Sequence, residues 1–334
     1  METMQLDVED DGLTRQAHQA LVASRVFGRP WFEPPSFDEV VLDWRHEDKA
    51  EPKEIWVAEH RGQVTGVATL YLPKEDNTWL AWFDLHVHPD HRRAGHGSAL
   101  IDRMAERAQA AGRRSLLTEF MVPVDDPAHS YRRFVERHGY SLNHTEVIRH
   151  LDLPVADDRL DDLDSSSRPR WEGNYVLQTH VNGVPPELQP SLCEVMSQLI
   201  VDAPTGDIEF EPEYFTPARY EEQLALERRM GRTRLTTVAL GSSGDVVAYT
   251  DLVLPAGAPS TVFQWGTYVH REHRGRRLGM AVKVENLRHL QAEHPGRRRV
   301  VTGNDGTNSW MVSINEALGF RIVELCPAYQ RKLD

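Results

Sequence analysis

The fold of this chain is decided by residues 87–100, which read VHPDHRRAGHGSAL. A strand pattern from Trp82 to Val87 leads into the stretch, and residues of helical spacing follow it from Ser98. Between them, Arg92, Gly95 and Gly97 form the pattern Arg-x-x-Gly-x-Gly. Glycine lets the backbone approach a ligand closely, and a helix start adds a positive dipole end. A strand, a glycine-rich turn and a helix in this order predict a phosphate-binding loop.

The same pattern occurs a second time, about 180 residues further along the chain. Residues 269–281 read VHREHRGRRLGMA and repeat Val, His, His, Arg, Gly and Ala in register. Downstream, Gly139-Tyr140 corresponds to Gly319-Phe320. A spacing that is kept over so long a distance indicates a duplicated domain. We therefore predict an N-terminal domain at 1–152, an acidic and serine-rich linker at 153–170 and a C-terminal domain at 171–334.

The composition narrows the classes of function. A formal net charge of −13 argues against nucleic-acid binding and favours a cationic small molecule as the partner. No apolar run approaches the roughly 20 residues that cross a bilayer, so we expect no membrane partner. The first residues lack the basic start and apolar stretch of a secretory signal, which predicts a cytoplasmic protein. The two cysteines, Cys193 and Cys326, are then expected to be reduced.

Both halves show the predicted element order β-α-α-β-β-β-α-β-α-β. This order and the Arg-x-x-Gly-x-Gly loop resemble the GNAT acyltransferase superfamily, here in a tandem arrangement common in actinomycetes, some of whose members act in antibiotic biosynthesis. The resemblance covers nearly the whole chain apart from the linker. The second copy departs from the pattern because Arg277 replaces the middle glycine. The resemblance implies an α/β (α+β) fold of two GNAT domains, each with a mixed, mostly antiparallel central sheet flanked by helices.

The resemblance also implies an acyl-CoA cosubstrate, acetyl-CoA or another. In this superfamily the pantetheine chain pairs with the central strand and the loop amides hold the pyrophosphate. The residues implied for this role are Leu85, His86, Val87, Arg92, Arg93, Ala94, Gly95, His96, Gly97, Ser98, Ser130 and Tyr131 in the first half. In the second half they are Tyr268, Val269, Arg274, Gly275, Arg276, Arg277, Leu278, Gly279, Met280, Asn304 and Asn308.

The expected reaction is transfer of the acyl group to the amine of a small molecule. The family often places a tyrosine four residues before the closing glycine, but Val135 and Asn315 stand at these positions. Neither half therefore shows a full acid–base pair. Because the second half has the more polar acceptor side, we assign the chemistry to it, with Tyr268, Ser309 and Asp251 as the catalytic candidates. An acidic loop with Asp207, Glu209 and Glu211 is predicted to attract the acceptor amine. The corresponding loop of the first half carries Trp31 and Phe32, which predicts a packed surface.

Several alternatives remain at this point. Both halves could hold acyl-CoA for structure or sensing only. A nucleotide phosphotransferase is disfavoured because the pattern G-x-x-x-x-G-K-[ST] is absent. His86, His88, His91 and His96 cluster along the sequence, but no carboxylate or thiolate has the ligand spacing of a metal site, so we expect no metal. The sequence is compatible with a monomer or a homodimer.

Overall fold

The computed structural model describes residues 2–333, and the chain divides into two compact units. Unit 1 is Met1–Thr145 together with Leu325–Asp334, and unit 2 is Glu146–Glu324. The chain thus leaves the first unit at residue 145 and returns to it at residue 325. These limits differ from the predicted boundaries at 152 and 171, because the last strand of each half pairs outside its own half.

Unit 1 contains a mostly antiparallel sheet in the order β1-β2-β3-β4-β5-β13, in which β4 and β5 are paired in parallel. Its elements are β1 (Glu2–Gln5), α1 (Asp11–Val26), α2 (Phe37–Arg45), β2 (Lys53–His60), β3 (Gln63–Tyr71), β4 (Leu80–Val87), α3 (His96–Ala110), β5 (Ser115–Glu119), β6 (Val122–Pro123), α4 (Ser130–Arg137) and the later part of β13 (Arg321–Lys332).

The two faces of this sheet are covered by different helices. Val67 packs in a core with residues of α1 and α2, whereas the next residue, Ala68, packs in a core with α3 and α4. This is the alternation of a strand that is buried on both faces. Ser36 caps α2, since its hydroxyl accepts a hydrogen bond from the Glu39 amide and α2 begins at the next residue.

Unit 2 contains a second mostly antiparallel sheet in the order β7-β12-β11-β10-β9-β8, with β11 and β12 paired in parallel. Its elements are the later part of β7 (Ser141–Asp152), α5 (Asp157–Ser167), β8 (Val176–Val181), α6 (Gln189–Ser197), α7 (Leu199–Asp202), α8 (Pro217–Arg229), β9 (Thr233–Leu240), β10 (Val246–Leu254), β11 (Thr261–Val269), α9 (Leu278–Glu293), β12 (Arg299–Asp305) and α10 (Ser309–Leu318).

The faces of this sheet are also covered by different helices. Tyr249 packs with residues of α6 and α8, whereas Leu252 packs with residues of α9 and α10. We call these the α6/α8 face and the α9/α10 face. The long loop 203–216, which carries the predicted acceptor residues, connects α7 to α8 and so belongs to the α6/α8 face.

The expected linker at 153–170 contains a packed helix, α5. Leu160 is buried in a core with Leu287 and Leu290 of α9. Arg288 of α9 donates hydrogen bonds to the carboxylates of Asp161 and Asp164. Acidic residues of this segment therefore form ion pairs with α9, and its leucines, which recur at helical spacing, pack the helix against the core of unit 2.

Within residues 2–333, every helix is too short or too polar to cross a membrane.

Candidate functional site

The two glycine-rich loops have the same backbone conformation although their sequences differ. In unit 1, positive φ angles occur at Arg93 (64°) and Gly95 (90°), and α3 begins directly after Gly95. In unit 2 they occur at Gly275 (78°) and Arg277 (61°), and α9 begins directly after Arg277. Arg277 therefore adopts the left-handed conformation that a glycine adopts in the first loop. Its side chain is exposed, so the missing middle glycine leaves the shape of the loop unchanged.

The residues predicted to hold a cofactor differ in burial. Those at the tips of the two loops are exposed: Arg93, Ala94, Gly95, Gly275, Arg276 and Arg277. His96 is buried and hydrogen-bonds through Nδ1 to the Thr65 hydroxyl, 3.0 Å away. Leu278 and Met280 pack in the cores of unit 2. In these three residues only the backbone can contact a ligand, because their side chains are buried inside their own unit.

The glycine of the first helical turn has a packing role in both units. A Cβ atom at Gly97 would lie 3.2 Å from Phe134 of α4 and 3.6 Å from Val87. A Cβ atom at Gly279 would lie 3.2 Å from Ile314 of α10 and 3.7 Å from Val269. The valine and the glycine that recur in the two loops therefore lie against each other in the same way in both units.

Arg92 and Arg274, the first residues of the two loops, make the same contact through Nε but have different partners at the outer end of the side chain. Nε of Arg92 donates to the Val87 carbonyl at 3.2 Å, and Nε of Arg274 donates to the Val269 carbonyl at 3.1 Å. The outer end of Arg92 lies over the rings of Phe27 and Tyr131, at 4.5 and 5.4 Å, and donates to the Ser24 hydroxyl. Tyr131, a predicted cofactor residue, therefore lies beside the first loop with its neighbour Ser130 at the start of α4.

Arg274 instead forms an ion pair with Asp202 at the end of α7. The Asp202 carboxylate also accepts hydrogen bonds from the Tyr268 hydroxyl and from Nε of Arg271, each at 2.8 Å. Burial raises the pKa of Asp202, but hydrogen bonds from Arg271, Tyr268 and Arg274 outweigh this effect and lower it to about 2. The second loop therefore has an arginine whose charge is already neutralised by a carboxylate of its own unit.

In both units the central strand separates from its parallel neighbour. β4 and β5 pair from Leu80 and Ser115 to Phe83 and Thr118, whereas β4 continues to Val87. The predicted residues Leu85, His86 and Val87 lie in this unpaired segment. In unit 2 the last pair is Phe263 with Val301, and β11 continues through Tyr268 to Val269. Each unit therefore has a gap beside its central strand, where the described pairings leave one strand edge without a partner strand and with room for an extended ligand.

Of the two central strands, β11 has a bulge in its described pairing with β10, whereas β4 has none in its described pairing with β3. Thr250 pairs with Thr267 and Leu252 with Gln264, so Trp265 and Gly266 together face Asp251. The pairing of β3 with β4 in unit 1 is regular from Gly66 and Val87 to Tyr71 and Trp82. A bulge redirects side chains and leaves an extra residue without its ladder bonds. Trp265 is 45% exposed on the α6/α8 face and lies 4.9 Å from the guanidinium carbon of Arg234.

The predicted catalytic residues occupy three different environments. The Tyr268 hydroxyl is held by Asp202, and burial together with this carboxylate raises its pKa to about 12. Asp251 is buried and accepts hydrogen bonds from Arg234 at 2.7 Å and from the Thr236 hydroxyl at 2.5 Å. The Asp251 carboxylate therefore stabilises the buried Arg234, and its catalytic role stays a prediction. Ser309 is exposed in the first turn of α10.

Two predicted cofactor residues of unit 2 have structural partners. Asn304 is buried and its Oδ1 accepts from Arg149 at 2.8 Å and from Asn315 at 3.0 Å. Asn308 caps α10, since its Oδ1 accepts from the Met311 amide. Their predicted contact with a cofactor stays a prediction. The predicted acceptor residues Asp207, Glu209 and Glu211 are all exposed in the loop 203–216.

The repeated histidines are explained by the turns that precede the loops. His88 and His270 each precede a 3₁₀ turn and accept a hydrogen bond through Nδ1 from the amide two residues later, at 3.3 and 3.4 Å. The possible ligand atoms of His270, Glu272 and His273 lie within 4.8 Å of one another. Nδ1 of His273 is already hydrogen-bonded to the Tyr175 hydroxyl at 2.9 Å, so the histidines of this turn have roles in the fold.

Comparisons with known proteins agree with this geometry. The model of the acetyltransferase (GNAT) family matches residues 19–140. The solved tandem GNAT protein from the clavulanic acid biosynthesis pathway is similar over 100% of this chain and 98% of its own, with a TM-score of 0.78 and 26% identity. Residues 19–140 therefore match the GNAT family, and the whole chain is similar in fold to a tandem GNAT protein.

Other similarities are shorter or more distant. A mycothiol acetyltransferase from Stackebrandtia nassauensis is 37% identical over 81 residues, which cover 24% of this chain and 26% of that protein. The match thus spans about a quarter of this relative's length. A GCN5-related N-acetyltransferase from Sphaerobacter thermophilus has the same fold, with a TM-score of 0.65 and 16% identity over 99% of this chain and 95% of its own. The tandem GNAT fold expected from the sequence is therefore confirmed.

The sequence did not predict several residues of the site. Asp202 was only one of several acidic residues near the predicted acceptor loop, and no sequence pattern pointed to Trp265. Glu146, which lies beside β12, was placed with the first half of the chain. The pairing of β7 with β12 in unit 2 brings Glu146 to the second site. A long-range strand pairing of this kind has no local sequence signal.

Proposed function

We propose that this tandem GNAT protein transfers an acyl group from acyl-CoA to the amine of a small molecule, and that unit 2 performs the transfer. The single observation that carries the proposal is the bulged central strand β11, which separates from β12 beside a glycine-rich loop. The gap accepts the extended pantetheine chain, and the loop amides with the start of α9 receive the pyrophosphate. The exposed bulge directs Trp265 and the backbone near Gly266 toward the reacting thioester.

The acceptor enters from the α6/α8 face in this proposal. The exposed carboxylates of the loop 203–216 draw an ammonium group toward it. Trp265, supported by the fixed Arg234, offers an aromatic surface for the body of the acceptor. Secondary metabolism is a suitable setting, because the similar tandem GNAT protein belongs to the clavulanic acid biosynthesis pathway.

Unit 1 holds acyl-CoA without transferring the acyl group. Its loop and its gap have the same backbone form, but its central strand is regular. On its acceptor side, Tyr71 and Trp82 stack at 3.7 Å, and Arg29 lies over Phe32 at 4.4 Å. These contacts fill the surface that an acceptor needs. An acyl-CoA-binding protein without catalysis is the second candidate, and the regular first unit is the observation that favours it.

A matched pair of variants at the loop tips tests the proposal. Ala94 and Arg276 are exposed at corresponding positions, so Ala94→Glu and Arg276→Glu each place a negative charge where a phosphate is expected. Free thiol release from acetyl-CoA is measured with a panel of amines, and acetyl-CoA binding is measured by calorimetry. We expect Arg276→Glu to lower turnover by about tenfold or more and Ala94→Glu to change it by less than about threefold.

The other outcomes separate the alternatives. If Ala94→Glu stops transfer and Arg276→Glu does not, the first unit is the active one. If acetyl-CoA binds but no amine causes thiol release, the protein is a binding protein. If acetyl-CoA does not bind at all, the loops have been assigned wrongly.

A further inference from the structure

The last strand of the second sheet brings a carboxylate to the acceptor side of unit 2. β7 pairs with β12 in antiparallel register, with Glu146 opposite Asp305 and Ile148 opposite Gly303. Arg149 bonds to Asn304 and Leu151 packs with α9, so these odd-numbered residues of β7 lie on the α9/α10 face. Side chains alternate along a strand, which places Glu146 on the opposite α6/α8 face.

Glycine at position 303 makes room for this carboxylate. A Cβ atom at Gly303 would lie 2.8 Å from Oε2 of Glu146 and 3.1 Å from Ile148. The carboxylate therefore lies across the backbone of β12 at its glycine. The last pair of β12 with β11 is Val301 with Phe263, so Gly303 borders the gap between the two strands. Glu146 thus reaches from β7 toward the gap in which the acyl group is proposed to lie.

The surroundings of Glu146 favour proton transfer. Within residues 2–333 its carboxylate has no hydrogen-bond donor and no cationic partner. Burial raises its pKa, and the neighbouring charge of Asp305 raises it further. In contrast, the Asp202 carboxylate is held by arginines and Tyr268, and Asp251 is held by Arg234. A general base must be able to take up and release a proton near neutral pH, which a firmly ion-paired carboxylate does poorly.

We propose that Glu146 is the base that takes the proton from the acceptor's ammonium group in unit 2. This inference rests on the proposed function. The ammonium loses one proton to the carboxylate, and the resulting amine attacks the thioester carbon. A C–N bond forms and the C–S bond breaks. The second proton of the nitrogen passes to the departing sulfur, which leaves as CoA thiol, and Glu146 releases its proton to water.

The test compares three variants in the full chain with an amine that the wild type acylates. Glu146→Gln keeps the size of the side chain, and we expect it to lower kcat/KM by about 100-fold or more. Its acetyl-CoA affinity, measured by calorimetry, should be unchanged. Gly303→Ala moves the carboxylate aside and should also lower kcat. Asp305→Asn is the matched control, since it removes a neighbouring carboxylate and leaves the base in place.

The pH profile distinguishes a base from a merely structural residue. Activity requires the deprotonated carboxylate, so kcat/KM should fall as pH decreases through the pKa of Glu146. Asp305→Asn removes a charge that raises this pKa, and should therefore move the acid limb to lower pH. Glu146→Gln should abolish the limb. A Glu146→Gln variant with wild-type kcat/KM and an unchanged acid limb would overturn the inference and leave the proposed function intact. If the wild type acylates no amine, the proposed function itself is wrong and the role of Glu146 is rejected with it.

Discussion

The hydroxyl of Tyr329 donates a hydrogen bond to Oε1 of Glu136, 3.0 Å away, although 193 residues separate the two in sequence. Tyr329 is buried in the core of unit 1 and stacks on Phe120 at 5.6 Å. Its strand, β13, pairs with β5 through residues 328–332. The first unit is therefore completed by residues that follow the whole of the second unit.

This relationship predicts that residues of β13 stabilise unit 1. Tyr329→Ala should lower the free energy of unfolding of this unit by about 3–5 kcal/mol, because it removes a large buried ring. Tyr329→Phe removes only the hydrogen bond and should cost about 1 kcal/mol. Urea unfolding followed by far-ultraviolet circular dichroism measures both. Lys332→Ala, at an exposed position of the same strand in unit 1, is the control and should change stability by less than about 0.5 kcal/mol. Equal effects at 332 and 329 would contradict the assignment.

A second prediction concerns Gly97, which lies in the first turn of α3. Gly97→Ala should destabilise unit 1 by about 1–3 kcal/mol, because the new Cβ atom meets Phe134 at 3.2 Å. Phe134→Leu shortens that side chain, so the double variant should lose less than the sum of the two single changes. Gly296→Ala is the control, since nothing lies within 4 Å of its Cβ position. Additive losses would show that Phe134 is not the obstacle.

A third prediction concerns Lys283 on α9, which is buried and donates a hydrogen bond to Oδ1 of Asn315 at 2.9 Å. Burial lowers the pKa of Lys283 to about 7, against about 10.4 for an unfolded lysine. Between these values the unfolded state binds more protons, so the stability of the wild type should rise as pH increases from about 7 to about 10.

Lys283→Met should therefore be more stable than the wild type at pH 6, and this advantage should decrease toward pH 10. Thermal unfolding across this pH range measures the difference. Lys49→Met, at an exposed position, should show no such trend. A constant difference between Lys283→Met and the wild type at every pH would contradict the depressed pKa.

The fourth prediction concerns the acidic loop and rests on the proposed function. Neutralising Asp207, Glu209 and Glu211 together should raise KM for a cationic amine by about three- to tenfold at low salt, because long-range attraction is lost. The effect should decrease at 0.5 M salt, where the Debye length falls to only a few ångströms. Neutralising Asp157, Asp158 and Asp162 on α5 changes the net charge equally and should leave KM unchanged. If both triple variants raise KM equally, net charge and not the loop is responsible.

The sequence by itself determined the duplicated order of elements, the two loops and the resemblance to the GNAT family, because these are local patterns. Hydrophobic spacing, the cap at Ser36 and the glycines of residues 87–100 act within a few residues of one another. The sequence also left the role of Arg277 open. The structure resolves this, since Arg277 adopts the backbone conformation of Gly95.

Only the tertiary structure decided which strands complete each sheet and which side chains meet at the second site. The pairings of β5 with β13 and of β7 with β12 join segments far apart in the chain, and strand edges accept such partners without a local signal. The same pairing carries Glu146 to Gly303, and folding places Asp202 against Arg274. Asp251 and Asn304, which were predicted as site residues, are buried, and such charged and polar groups need partners, which Arg234 and Arg149 supply.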